Sequence, residues 1–335
     1  MSNLHEYTGI VGDKVISSIS RKAKDLCEKR VLHINSTNYG GGVAEILNSL
    51  LPLMNNLSIG ADWRILNGNP KLFTLTKGFH NALQGGSINL SEIKRRLYVE
   101  GVAKAFSPYC DITHNCVIIH DPQPIPLIRF CKKTQPWVWR CHIDLTDPDR
   151  GLWEFLKGFI YKYDTVIFSS EKFKKKDLPV EQRVIPPAID PLSLKNKELT
   201  ERGILTYVRK AGIPTDKPVI TQVSRMDPWK DPEGLLEIIK RVKEKADCRL
   251  VYCYDMALDD PEGVAIYSKV FRKAKKLREK GDVIFVMGKN QILVNAIQRF
   301  STVVVQNSIR EGGIMEGKTN RSYQCRRSSH PDKRR

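Results

Sequence analysis

The chain has 335 residues, 41% of them hydrophobic, and a formal net charge of +18 from 55 Lys and Arg against 37 Asp and Glu. That length and apolar content support two domains with cores of their own and exclude wholesale disorder. No apolar run approaches the ~20 residues needed to cross a bilayer, and the start, MSNLHEYTGIVGDKVI, lacks the parts of a signal peptide, so a cytoplasmic chain with no membrane span is expected.

The first domain opens with an apolar strand at 30–34, a loop at 35–42, and a helix on which Val43, Ile46, Leu47, Leu50, Leu51, Met54 and Leu57 recur at helical spacing. Gly40, Gly41 and Gly42 stand between that strand and the helix start, where backbone amides can approach a ligand unobstructed. Glu45 occupies the last glycine or alanine position of a dinucleotide fingerprint counted from Gly40, which argues against an oxidoreductase. Strands follow at 62–66, 116–120, 137–141 and 164–168, with helices at 91–106 and 152–162, a doubly wound α/β layout. His120, Asp121 and Gln123 lie just past one strand, and Arg140, His142 and Asp144 just past another, so both groups should gather at the carboxyl edge of one sheet. A proline-rich stretch at 184–191 reads as the hinge between a domain over 1–190 and a second over 191–311.

The second domain starts with KPVITQVSRMDPWKDPEGLLEII (217–239): an apolar strand, a loop carrying Arg225 and Lys230, then a helix. Two cations beside the partly positive end of a helix, at the carboxyl edge of a parallel strand, suit a diphosphate. Further strands are expected at 249–253, 283–287 and 302–306, making four, where about six are usual in such a domain. Residues 312–335 carry seven Lys or Arg and two acids with no helical or strand periodicity, a basic irregular tail.

The remaining positive charge is spread over surface helices such as 172–176 and 271–280, without aromatic interleaving, so no specific nucleic-acid partner is expected. Eight cysteines are scattered without a CxxC pair, as in reduced thiols. Cys110, His114, Cys116 and His120 do not read as a metal site, because alternate side chains of the strand at 116–120 face opposite ways.

The loop SRMDPWKDP resembles the donor loop of retaining nucleotide-sugar glycosyltransferases with the GT-B architecture. HINSTNYGGGVAEIL (33–47), HDPQPIPLI (120–128), WRCHIDL (139–145), PPAIDPLSLKN (186–196) and QNSIREG (306–312) are similar to the trehalose glycosyltransferring synthases, in collinear order. The resemblance implies two Rossmann-like domains facing a cleft, the second incomplete, and transfer of glucose from a nucleoside diphosphate glucose to glucose, with retention, to form trehalose. It assigns the departing diphosphate to Arg225 and Lys230 and donor-sugar hydroxyls to Glu311. Sugar contacts are expected from Gly40, Gly41, Gly42, His120, Asp121, Gln123, Arg140, His142 and Asp144. No obligatory cofactor or metal is implied. The family's second glutamate position holds Thr319, so 312–335 reads as an out-of-frame version of a family segment, and an inactive carbohydrate-binding remnant is the alternative. Nucleotide sugar and glucose or trehalose are the expected ligands, and a homodimer is compatible with the sequence.

Overall fold

The computed structural model describes residues 3–39, 41–106, 111–255, 262–310 and 322–324. They fall into two compact units that divide between Leu192 and Ser193.

In the first unit, helices α1 (Thr8–Val11) and α2 (Asp13–Lys24) precede strand β1 (Arg30–Asn35). Then come α3 (Gly42–Asn56), β2 (Gly60–Ile65), α4 (Pro70–Leu83), α5 (Glu92–Phe106), β3 (Cys116–His120), β4 (Trp137–Cys141), α6 (Arg150–Ile160), β5 (Thr165–Phe168) and β6 (Glu181–Val184). The six strands form one parallel sheet in the order β2-β1-β3-β4-β5-β6. Alternation along the strands sends Leu32, Ile34, Val117, Ile119, Trp139, Cys141 and Phe168 into a core shared with α4, α5 and α6. The opposite face meets α3, whose Leu47 and Leu51 pack on Ala61 and Trp63. Chain order reverses between β1 and β3, and such a switch point opens a crevice beyond the strands' carboxyl ends.

The second unit runs α7 (Glu201–Lys210), β7 (Val219–Arg225), α8 (Pro232–Lys243), β8 (Arg249–Asp255), α9 (Gly263–Lys273), α10 (Lys275–Glu279), β9 (Val283–Met287), α11 (Gln291–Phe300), β10 (Val303–Gln306) and β11 (Ser322–Gln324). Its parallel sheet has the order β11-β10-β7-β8-β9, with the switch point between β7 and β10. One face buries Leu235, Leu236 and Ile239 of α8 with Val270 of α9, and the other buries Val208, Val294 and Ile297 of α7 and α11.

One strand escaped the sequence reading and two expectations need correction. The polar segment Glu181–Val184 is a strand, β6, because it pairs on one side only and exposes alternate side chains, so it carries no apolar run. The stretch expected as a helix at 172–176 is a short 3-10 turn, Glu171–Phe173, ended by burial of Phe173. Within the segment read as irregular, Ser322–Gln324 pairs with Val304–Gln306 as a fifth strand, since the open edge of β10 offers a ladder that any extended backbone can join. The rest of 312–335 lies outside the described residues.

Candidate functional site

At the switch point of the first unit, the loop after β3 is held by buried aromatic donors. Trp139 Nε1 donates to the Asp121 carbonyl at 3.0 Å, Tyr98 Oη to the Pro122 carbonyl, and Tyr163 Oη to the Ile125 carbonyl at 2.8 Å. These bonds fix Asp121 in the left-handed region at φ 60°, a conformation that Asp tolerates better than most residues. Its Oδ1 accepts from the His142 amide at 2.8 Å, tying the loop after β3 to the loop after β4. Gln123 Oε1 is buried without a hydrogen-bond partner among the described residues. An unmet acceptor of this kind is suited to a ligand hydroxyl.

His120 is 2% exposed and lies between two other imidazoles. Its Nε2 is 3.0 Å from His33 Nδ1 and its Nδ1 is 3.0 Å from His142 Nε2, with both ring pairs stacked at 5.3 Å between centroids. Burial, reinforced by the nearby Arg140 guanidinium, lowers the pKa of His33 to about 4 and of His142 to about 3. His120 is pushed well below the usual imidazole range, by burial first and then by its neighbours. All three rings are therefore neutral at pH 7. Burial also lowers the pKa of Arg140, partly offset by Asp121, and its Nη2 donates to the Ile185 carbonyl at 3.3 Å.

Asp144 is 6% exposed, and its Oδ1 accepts from the amide and the hydroxyl of Thr146. At least one oxygen thus shapes its own turn. Asn35, at the end of β1, accepts from Trp63 Nε1 at 2.7 Å and donates to the Thr37 carbonyl at 2.6 Å, which organises the approach to the glycine loop. Gly41 precedes α3 and Gly42 begins it, and a Cβ at Gly41 would meet open space, so the protein itself does not demand glycine there. Gly40 and Glu311 lie outside the described residues.

In the second unit, Arg225 ends β7 and Lys230 closes a 3-10 turn, Pro228–Lys230. Asp227, 2% exposed, faces the Arg225 guanidinium at 3.5 Å and accepts from the Trp229 amide at 2.8 Å. Gln222 Nε2 donates to the Lys230 carbonyl at 2.7 Å, and the Ile309 amide donates to the Trp229 carbonyl at 2.8 Å. Asn307 Nδ2 reaches Asp231 Oδ2 at 2.9 Å and its carbonyl at 3.2 Å. The two loops of this switch point, after β7 and after β10, thereby brace one another. The start of α8 is less open than its sequence implies. Asp231, at φ 47°, caps it by accepting from the Gly234 amide at 2.9 Å, so anion attraction in this loop falls mainly to the two cations.

His33 escaped the sequence reading, because only strand pairing brings it beside His120. Asn307 escaped it for the same reason, and Gln222 because the fold of its own loop brings the Lys230 carbonyl back to it. Of the cysteine and histidine cluster dismissed as a metal site, His114 meets Asp62 at 2.7 Å while His120 bonds to imidazoles. Among the described residues no group of three His, Cys, Asp or Glu is disposed to hold a metal ion, and no helix is long and apolar enough to cross a membrane.

The fold resembles a crystal structure of an alpha,alpha-trehalose-phosphate synthase (UDP-forming) from Burkholderia xenovorans in complex with glucose-6-phosphate. The TM-score is 0.68 at 12% identity, covering 85% of this chain and 80% of that one. Two parallel sheets of this topology, each with a switch point where polar loops gather, make up a GT-B fold of two Rossmann-like units. The family model described as "Trehalose synthase, N-terminal domain" matches residues 33–175. A trehalose synthase of Thermococcus litoralis is 45% identical over 313 residues, covering 92% of this chain and 76% of that protein. The chain belongs to the trehalose synthase family, glycosyltransferases of trehalose metabolism. A trehalose phosphorylase of Pleurotus pulmonarius is also similar, 26% identical over 93% of this chain and 49% of its own length.

Proposed function

We propose that this chain moves a glucosyl group from a nucleoside diphosphate glucose to the anomeric hydroxyl of glucose, with retention, giving trehalose. The observation that carries the reading is the doubly braced loop that holds Arg225 and Lys230 at the second switch point. Negative charge grows on the departing diphosphate, and cations fixed before the reaction stabilise it without reorganising. Asp227 opposite Arg225 limits where that guanidinium can swing, which favours a set geometry over a mobile surface charge.

The first unit supplies the groups for a sugar. Gln123 offers an unmet acceptor, Arg140 donors, and His142 a neutral imidazole, a set that matches the donors and acceptors of sugar hydroxyls. Asp121 contributes by holding the His142 backbone, and Asp144 by shaping the turn beyond it.

The test is incubation of the purified chain with uridine, adenosine or guanosine diphosphate glucose and free glucose, with trehalose and released nucleotide both measured. With the donor glucosyl group labelled at its anomeric carbon, an α configuration at that carbon in the product supports transfer with retention, and a β configuration there overturns it. Product from glucose 1-phosphate but from no nucleotide sugar would assign the phosphorylase-type reaction instead. Glucose binding without turnover of any donor would favour the noncatalytic alternative.

A further inference from the structure

The three imidazoles at the first switch point are bonded to one another through ring nitrogens, and the line has two different ends. His33 and His120 are each 2% exposed, whereas His142 is only partly buried. At the inner end, His33 Nε2 is buried without a hydrogen-bond partner among the described residues. At the outer end, His142 Nδ1 is the nitrogen left over after Nε2 has bonded to His120.

Proton counting then constrains the line. A neutral imidazole carries one ring proton, so three rings bring three, and each of the two inter-ring bonds uses one. The third proton must sit at an end. Placed at His33 Nε2 it would be a buried N–H with no acceptor, the kind of orphan that folded proteins rarely keep. Placed at His142 Nδ1 it can meet water or a ligand. The count leaves all three rings in the same tautomer, because a proton moved in one forces the next to follow.

We propose that His33 and His120 are positioning residues that hold His142 in its Nδ1–H tautomer, so that the outer end of the line presents a neutral N–H to an oxygen of a bound sugar. The His142 amide, anchored on Asp121 Oδ1, fixes the backbone from which that N–H is aimed. Neutrality matters beside Arg140, since a second cation there would be repelled and would favour any anion over a hydroxyl. The sugar half of this inference rests on the proposed transfer reaction; the tautomer half does not.

Nitrogen NMR of the full-length chain labelled at histidine separates the two halves. All three rings are expected as Nδ1–H at neutral pH, the less common form of a free imidazole, and His142 found as Nε2–H would overturn the assignment. In His33→Asn the amide group stands where Nδ1 stood and can still donate to His120, so the His142 tautomer and most of the turnover are retained. In His33→Leu the line loses its inner donor, His142 relaxes toward Nε2–H, and kcat falls about tenfold, one hydrogen bond's worth. Thermal unfolding of both variants identifies any loss due to misfolding, and in that case the tautomers of the parent chain decide alone. Equal loss of turnover in both folded variants, with the His142 tautomer unchanged, would make His33 merely structural and overturn the proposal. An inactive parent chain would sink the transfer reading while leaving the tautomer result to stand or fall by itself.

Discussion

Acidification should unfold the first unit early, and the size of the effect follows from the three imidazoles. His33 titrates at about 4, His142 at about 3, and His120 well below the ordinary range, all chiefly because burial disfavours the charged ring. Their folded pKa values lie below the unfolded value of about 6.5, so below that pH the unfolded chain binds more protons than the folded one. The cost is absent above pH ~6.5 and grows as pH falls, until about pH 4 for His33 and about pH 3 for His142. Between about pH 7.5 and 5.5, each ring held neutral costs the fold about 1.4 kcal/mol, or about 4 kcal/mol for the three. A typical domain has only about 5–15 kcal/mol to lose. Asp62 acts outside this window: partial burial raises its pKa, but Arg30 and His114 outweigh that and hold it below the ordinary carboxylate value. Urea unfolding at several pH values, followed by tryptophan fluorescence, measures the effect. Trp63, Trp137, Trp139 and Trp153 all lie in the first unit and only Trp229 in the second, so the signal is mainly that of the unit in question. His142→Asn should remove one of the three protons from the pH dependence. A loss below about 1.5 kcal/mol between those pH values, equivalent to a single ring, would refute the buried neutral line.

Three further outcomes are expected. Arg225→Ala and Lys230→Ala should each remove about 2–4 kcal/mol of transition-state stabilisation, measured as kcat/KM, and unchanged turnover in both would take this loop out of the mechanism. Asn307→Ala, which deletes two hydrogen bonds to Asp231, should weaken nucleotide binding by about 1–2 kcal/mol in calorimetry while leaving glucose binding alone. For His142→Ala and Asp144→Asn the dependence of rate on glucose should change more than nucleotide affinity; loss of nucleotide binding with normal glucose binding would show that they serve the donor instead.

Much of this architecture was written in local sequence. Periodicities of two and of 3.6 residues set most strands and helices, because which side of an element is apolar depends on neighbours along the chain. The loop carrying Arg225 and Lys230 was legible for the same reason: an apolar strand, two prolines and a helix start enclose it within a few residues. What local sequence lacked was the identity of lateral neighbours. The edge strand β6 carries little apolar signal, since a ladder on one side stabilises it without a fully buried face, and β11 is placed by its pairing with β10. The brace from Asn307 to Asp231 joins loops 76 residues apart in the chain. His33 is the sharpest case. On its own it is one histidine in a strand, and only the pairing of β1 with β3 and β3 with β4 stacks it with His120 and His142, 87 and 109 residues away. A parallel sheet brings together strands that are never consecutive without a crossover, so chemistry shared across its strands is decided by topology and register, which belong to the tertiary structure alone.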